Sequence, residues 1–237
     1  KNKVVKEKLL SELFYNLENV EIKKLKKNWS KDYSTQGSEM QLFCDNKGSW
    51  KDFNLSLDIF LSKNNCWINK FKDRYNIFIH SYKKTSFSRS RYFENQSSFF
   101  KKTYFKEDLL QMGFSTCNKN IYYVGICEDE IINKLLIDVK KIKEKKIIIY
   151  LTVENHIPIN VQYYKNLKCE DYPLNLHPQF CTLFKNQKNF NIEVNKFINQ
   201  LNSNDLLVFF SDTPPLLSKR DRIHFEDYID VFFFKKK

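Results

Sequence analysis

The chain has 237 residues, 42% of them apolar, with 22 Phe and 13 Tyr, which is enough to bury the core of one large domain and excludes a disordered polypeptide. Lysine and arginine (40) outnumber aspartate and glutamate (28) for a net charge of +12. The lysines are spread along the whole sequence beside Asn, Ile and Phe, which argues against a dedicated nucleic-acid face and suits approach to anionic lipid head groups.

The longest apolar runs, at 147–153 and 206–210, fall short of the ~20 residues that a membrane-spanning helix requires. No leader-like succession follows Lys1, so the expectation is that an upstream segment has been removed. Residues 5–17 place Leu9, Leu10, Leu13, Phe14 and Leu17 on one helical stripe. A polar loop at 30–37 leads into a helix beginning near Ser38 and running towards Cys44, so Thr35 sits where a loop enters a helix. Segments 54–61 and 67–71 are helical or ambiguous, and 75–80 is a short buried strand ending at His80. Residues 81–104 lack periodicity and form a long functional loop. Helices follow at 106–112 and 128–143. Residues 146–153 form a strand whose unbroken apolar character calls for cover on both faces. A helix at 190–201 and a strand at 205–210, ending in the turn 211–215, complete the pattern. Strands and helices alternating in this way give a single domain over 1–237, α/β and doubly wound, with a mostly parallel sheet flanked by helices.

In such sheets ligands gather outside the carboxyl ends of the strands. Three strand ends deliver His80, His156 and Asp212 there. Thr35 approaches from a helix start, whose exposed N–H groups and dipole favour an anion such as phosphate. The six cysteines, 44, 66, 117, 127, 169 and 181, contain no C-x-x-C spacing. Pairing each with its neighbour in sequence would give Cys44 with Cys66, Cys117 with Cys127 and Cys169 with Cys181, in an oxidising compartment; six buried thiols in a reducing one are the alternative.

The segment Ser34-Thr35-Gln36-Gly37-Ser38-Glu39 resembles the nucleophile segment of sulfatase-like transferases of the alkaline phosphatase and sulfatase superfamily, where a threonine lies four residues before a glutamate. His80-Ser81-Tyr82 followed by Phe87-Ser88-Arg89 resembles that family's His-Gly-aromatic and Phe-Asn-Arg segments. Residues 104–127, with Met112-Gly113-Phe114, Cys117 and Gly125-Ile126-Cys127, resemble the next segment. Glu154-Asn155-His156-Ile157-Pro158 is similar to Asn-Ser-His-x-Pro, and Ser211-Asp212-Thr213-Pro214-Pro215 to Gly-Asp-His-Gly-Pro-Pro. The matches come in the family's order, with Thr213 standing where the family has a histidine and the first strand, which carries an acidic metal ligand, missing ahead of Lys1.

The resemblance implies transfer or hydrolysis of a phosphate ester through Thr35 as nucleophile, assisted by a divalent metal, zinc or manganese. It implies Asp212, Thr35 and His224 as metal ligands, and His156 as the group that binds phosphate or moves a proton. Arg89, His80 and Glu39 would lie on the substrate, with Arg91 as the substitute for Arg89. The partners implied are a phospholipid head-group donor of the phosphoethanolamine or phosphoglycerol type and a surface glycan or lipid acceptor. The implied location is periplasmic or extracytoplasmic, with an inner-membrane anchor in the missing N-terminal segment, and the same resemblance favours the disulfides. A catalytically degenerate relative with a glycan-binding role is the second possibility, and a basic nucleic-acid-binding protein the third.

Overall fold

The computed structural model describes residues 17, 19–28, 39, 43–44, 56–63, 66–86, 89–93, 98–156, 158–160, 162, 178–210 and 228–237. The helix expected at 5–17 lies outside these except for Leu17, which packs against the core. In chain order the elements are β1 (Val20–Asn28), α1 (Leu57–Lys63), a 3-10 turn (Trp67–Phe71), β2 (Tyr75–His80), α2 (Arg89–Tyr92), β3 (Lys102–Tyr104) and α3 (Lys106–Gln111). Next come α4 (128–140), β4 (Lys146–Leu151), α5 (Pro178–Asn199), β5 (Leu206–Phe210) and β6 (Tyr228–Lys236). Within α4 the stretch Ile131–Leu136 is wound as a π-helix between two α-helical ends.

The strands form two three-stranded sheets. One is parallel in the order β3-β2-β4, as the apolar runs at 75–80 and 146–153 require. Side chains of β2 alternate between two cores: Phe78 joins Leu57, Phe60, Phe93, Phe99, Phe100 and Phe105, while Ile77 and Ile79 join Leu109, Ile131, Leu135, Phe190, Val194 and Ile198. Gly113, at φ +84, ends α3 in the left-handed region.

The second sheet corrects the expectation of one mostly parallel sheet. Its order is β1-β6-β5, antiparallel throughout, so the strand at 205–210 does not align with β2 and β4. Alternation explains the difference, for Leu206 is 61% and Val208 36% exposed while Leu207 and Phe209 pack inward, the pattern of a strand wet on one face. The loop expected at 81–104 contains α2 and β3, and α5 starts twelve residues ahead of the expected helix at 190, at Pro178. Two of the neighbour pairings are present as disulfides, Cys44–Cys66 and Cys117–Cys127; Cys169 lies outside the described residues, as does the side chain of Cys181. Among the described residues no helix is long and apolar enough to cross a membrane.

Phe234 in β6 is fully buried and ties the antiparallel sheet to the core shared with β2. Phe234→Ala is expected to cost roughly 3–5 kcal/mol in urea unfolding. Leu206→Ala, on the exposed face, should stay within about 0.5 kcal/mol. Equal losses would mean that the buried face of this sheet is wrongly assigned.

Candidate active site

Strands β2 and β4 end side by side, with His80 opposite Leu151. The His80 ring is fully buried, with its centroid 6.5 Å from Phe78, 6.5 Å from Tyr82 and 6.3 Å from Phe105. Its Nδ1 lies 3.2 Å from the Leu151 carbonyl, which only accepts, so Nδ1 carries the proton. Burial, reinforced by the charge of Arg89 and opposed by the Leu151 hydrogen bond, lowers its pKa to about 3, so the imidazole is neutral around pH 7.

Arg89 begins α2 and is fully buried. Its two terminal nitrogens donate to the two carboxylate oxygens of Glu39, each at 2.6 Å, and its guanidinium lies 5.3 Å from the Phe78 ring centroid. Glu39 is itself buried and helical, as are Phe43 and Cys44 further along. The pair therefore fastens the helix that follows Thr35 to the segment leaving β2.

Beyond the strand ends lies a second buried cluster. Glu128, at the start of α4, is 1% exposed, and its Oε1 accepts from the Ser81 hydroxyl and from the Val153 N–H, both at 2.8 Å. Glu154 accepts from the Glu128 N–H at 3.0 Å and from the Lys119 ammonium at 2.8 and 3.0 Å. Burial raises the pKa of both carboxyls; the charge of Glu154 raises that of Glu128 further, whereas Lys119 opposes the rise at Glu154. Among the described residues the lysine pairs with Glu154, while Glu128 faces the charge of Glu154, so the protonated form of Glu128 is favoured. Gly125 permits this closeness, since a Cβ there would stand 2.7 Å from Val153 Cγ2 and 2.9 Å from the Ser81 carbonyl oxygen.

His156 follows two residues after Glu154 and is half-buried. Asn120, 2% exposed, donates through Nδ2 to the His156 carbonyl, while its Oδ1 accepts from the N–H groups of Tyr122 and Tyr123. The Tyr123 ring lies 4.2 Å from the His156 ring, and Asn186 of α5 donates to the Glu154 carbonyl and to Asn155 Oδ1, both at 2.8 Å. Ring contacts from His80 to Tyr82 (6.5 Å), Tyr82 to Tyr123 (5.4 Å) and Tyr123 to His156 (4.2 Å) join the two histidines.

The structure thus brings Glu39, Arg89 and His80 together and links His156 to His80 through the Tyr82 and Tyr123 rings, while Thr35, Asp212 and His224 lie outside the described residues. Glu39, Arg89 and His80 are all buried, with the Arg89 guanidinium fork paired to Glu39, and His156 is the half-exposed member. Arg91, the substitute for Arg89, is exposed. The sequence reading passed over Glu128, Lys119, Asn120 and Tyr123 as functional residues; the one signal for the carboxyl cluster was an acidic residue directly after the strongest strand. Among the described residues the one group of clustered ligand atoms is Cys117, Cys127 and Asp129, whose two sulfurs are joined in a disulfide and offer no thiolate to a metal.

No family profile and no curated protein matches the sequence. Solved structures do match. The chain superimposes on the lipoteichoic acid synthase LtaP from Listeria monocytogenes with a TM-score of 0.65 at 15% identity, over 96% of this chain and 59% of that one. It superimposes on the phosphoglycerol transferase GacH from Streptococcus pyogenes, in complex with sn-glycerol-1-phosphate, with a TM-score of 0.61 at 13% identity, over 92% and 63%. The chain spans about three fifths of the length of each and has their alkaline phosphatase-like fold, which is the one implied by its motif order.

Two outcomes follow from the buried charges. Arg89→Ala leaves Glu39 buried without its cation and should cost roughly 3–5 kcal/mol, whereas Arg89→Met combined with Glu39→Leu should recover most of that loss. Chemical denaturation measures both, and a single variant as stable as the parent would show the pair to be idle. For Glu128 the folded pKa lies above the unfolded one, so its contribution to stability is complete at acid pH and declines as pH rises from the ordinary carboxylate range towards the raised value. The stability of Glu128→Gln relative to the parent should therefore increase with pH across that window; a difference that does not vary with pH would mean that Glu128 is ionised in the fold. His80 acts in the opposite direction, its stability being lost as pH falls from 6.5 towards about 3, and the parent-minus-variant comparison cancels it.

Proposed function

We propose that the chain is the catalytic part of an extracytoplasmic enzyme that transfers or hydrolyses a phosphate ester, of the phosphoglycerol or phosphoethanolamine type, on a bacterial surface glycan or lipid. What supports this reading is the fold shared with a lipoteichoic acid synthase and a phosphoglycerol transferase, together with His80 at the end of β2 beside β4 and a half-exposed His156 five residues beyond β4. The two disulfides support folding in an oxidising compartment, and attachment to the membrane through a segment outside this sequence is part of the proposal.

Thr35 lies four residues ahead of Glu39, about one helical turn, so the Glu39–Arg89 pair would set the position of its hydroxyl. In the proposed reaction the Thr35 oxygen bonds to phosphorus as the bond to the leaving alcohol breaks and the threonine proton passes to that alcohol. A sugar hydroxyl, a lipid hydroxyl or water then displaces threonine. His156, steadied by Asn120 and stacked beside Tyr123, binds a phosphoryl oxygen or relays the proton. The oxygen-rich and imidazole donors Asp212, Thr35 and His224 suit a divalent cation, zinc or manganese, which would neutralise phosphoryl oxygens when bound. The second reading, a relative that keeps the fold and a glycan-binding role without turnover, has Thr213 in its favour, because a threonine hydroxyl stands where the family pattern has an imidazole.

Hydrolysis of a chromogenic phosphodiester by the full-length protein, together with elemental analysis for bound metal, separates the two readings. Turnover should be abolished by Thr35→Ala and lowered roughly 10²–10⁴-fold by His156→Gln. Neither metal nor turnover would leave the degenerate relative standing.

A further inference from the structure

The residues leaving His156 form one wall of a groove that the proposed chemistry does not use. Asn118, Asn120, Ile121, Val124, Asn160 and Gln162 line about 520 Å³, within the range of small-molecule sites. Two segments frame it: the Ile121 N–H donates to the Pro158 carbonyl at 3.3 Å, the Asn160 N–H to the Lys119 carbonyl at 2.9 Å, and Asn120 pairs with Ile159 in an isolated antiparallel bridge. Asn120 also donates to the His156 carbonyl, so the groove and the candidate catalytic histidine share a residue.

The chemistry of the lining is distinctive for this protein. In a chain of net charge +12, the described residues of the lining are four neutral amides and two aliphatic side chains. The adjacent cation, Lys119, is engaged by Glu154 at 2.8 Å. An anionic phosphate is recognised by charge-assisted hydrogen bonds, which none of the described lining side chains supplies. The Asn120 and Asn160 amides are spent on backbone groups of the two framing segments, and the Asn118 and Gln162 amides offer donors and acceptors together to hydroxyl groups, while Ile121 (49% exposed) and Val124 give apolar surface for the C–H face of a sugar ring. Asn118 and Gln162 are exposed and available to a ligand at the rim.

We propose that this groove seats a neutral sugar unit of the acceptor, beside His156. The sugar's role as acceptor rests on the proposed phosphate-ester transfer; the binding does not. Amide-detected NMR of the 237-residue chain, titrated into the millimolar range with cellobiose and with chitobiose, and with glycerol 1-phosphate as the anionic control, tests it. A disaccharide should shift the signals of residues 118–124 and 158–162 saturably. The double variant Asn118→Ala with Gln162→Ala, both at exposed positions, should keep a folded spectrum and bind about tenfold more weakly. No saturable shift with either disaccharide, undiminished affinity in the double variant, or glycerol 1-phosphate occupying the groove in their place would each overturn the proposal. Sugar binding without phosphodiester turnover would count against the phosphate-transfer reading alone, and turnover without sugar binding against the groove alone.

Discussion

The candidate site depends on one carboxyl group removed from water, that of Glu128. Ser81 is the first residue past β2 and Val153 the second past β4, and both donate to the same Glu128 oxygen. Those bonds tie together the ends of the strands from which His80 and His156 project. The arrangement needs the 125–127 segment close against both, which Gly125 allows sterically and the Cys117–Cys127 disulfide supports covalently. A buried carboxylate without a cation would be costly, and holding the proton removes most of that cost while leaving the acceptor geometry in place. The Glu128 oxygen that accepts both bonds is the satisfied one, and it fixes the two strand ends against each other.

The Glu39–Arg89 pair solves a related problem for a segment far away in sequence. Buried ion pairs are poor evidence of stability, because the desolvation of two charges offsets much of their attraction, and apolar replacements are often as stable. What the pair gives that apolar packing does not is direction: two parallel hydrogen bonds at 2.6 Å fix both the distance and the rotation of the helix bearing Glu39. An apolar contact tolerates sliding and would be the weaker solution for direction, and the ion pair is better understood as orientation than as stabilisation.

The legible parts of the sequence were those whose structure is dictated locally. Continuous apolar runs marked β2 and β4, and the position of His156 just past β4 followed from them. Cys44–Cys66 and Cys117–Cys127 followed from proximity in sequence. Strand β1 is hidden in the sequence because the alternation begun by Val20 and Ile22 breaks at Lys23 and Lys24, with further lysines at 26 and 27, and its pairing is with β6, some 200 residues away. The direction of β5 was misjudged for the same reason, since strand orientation is set by the partner and not by the strand's own pattern. Burial of His80 and Arg89 escaped the sequence because it depends on Phe78, Phe93 and Phe105 converging from separate elements. Glu128 read as an ordinary acidic residue at a helix start; only the fold places Glu154 beside it.

The distribution of charge links these observations. The surplus of lysine and arginine would draw an anion towards the surface, yet buried Arg89 and half-buried Lys119 are engaged by the protein's own carboxylates. In the proposed reaction the positive charge for a phosphoryl group would be supplied by a cation held by Thr35, Asp212 and His224. An uncharged groove next to His156 would complement such a centre: the charged reactant goes to the cation and the neutral one to the amides. Under the proposed function, separating the two recognitions in space would keep a donor phosphate from occupying the acceptor's place.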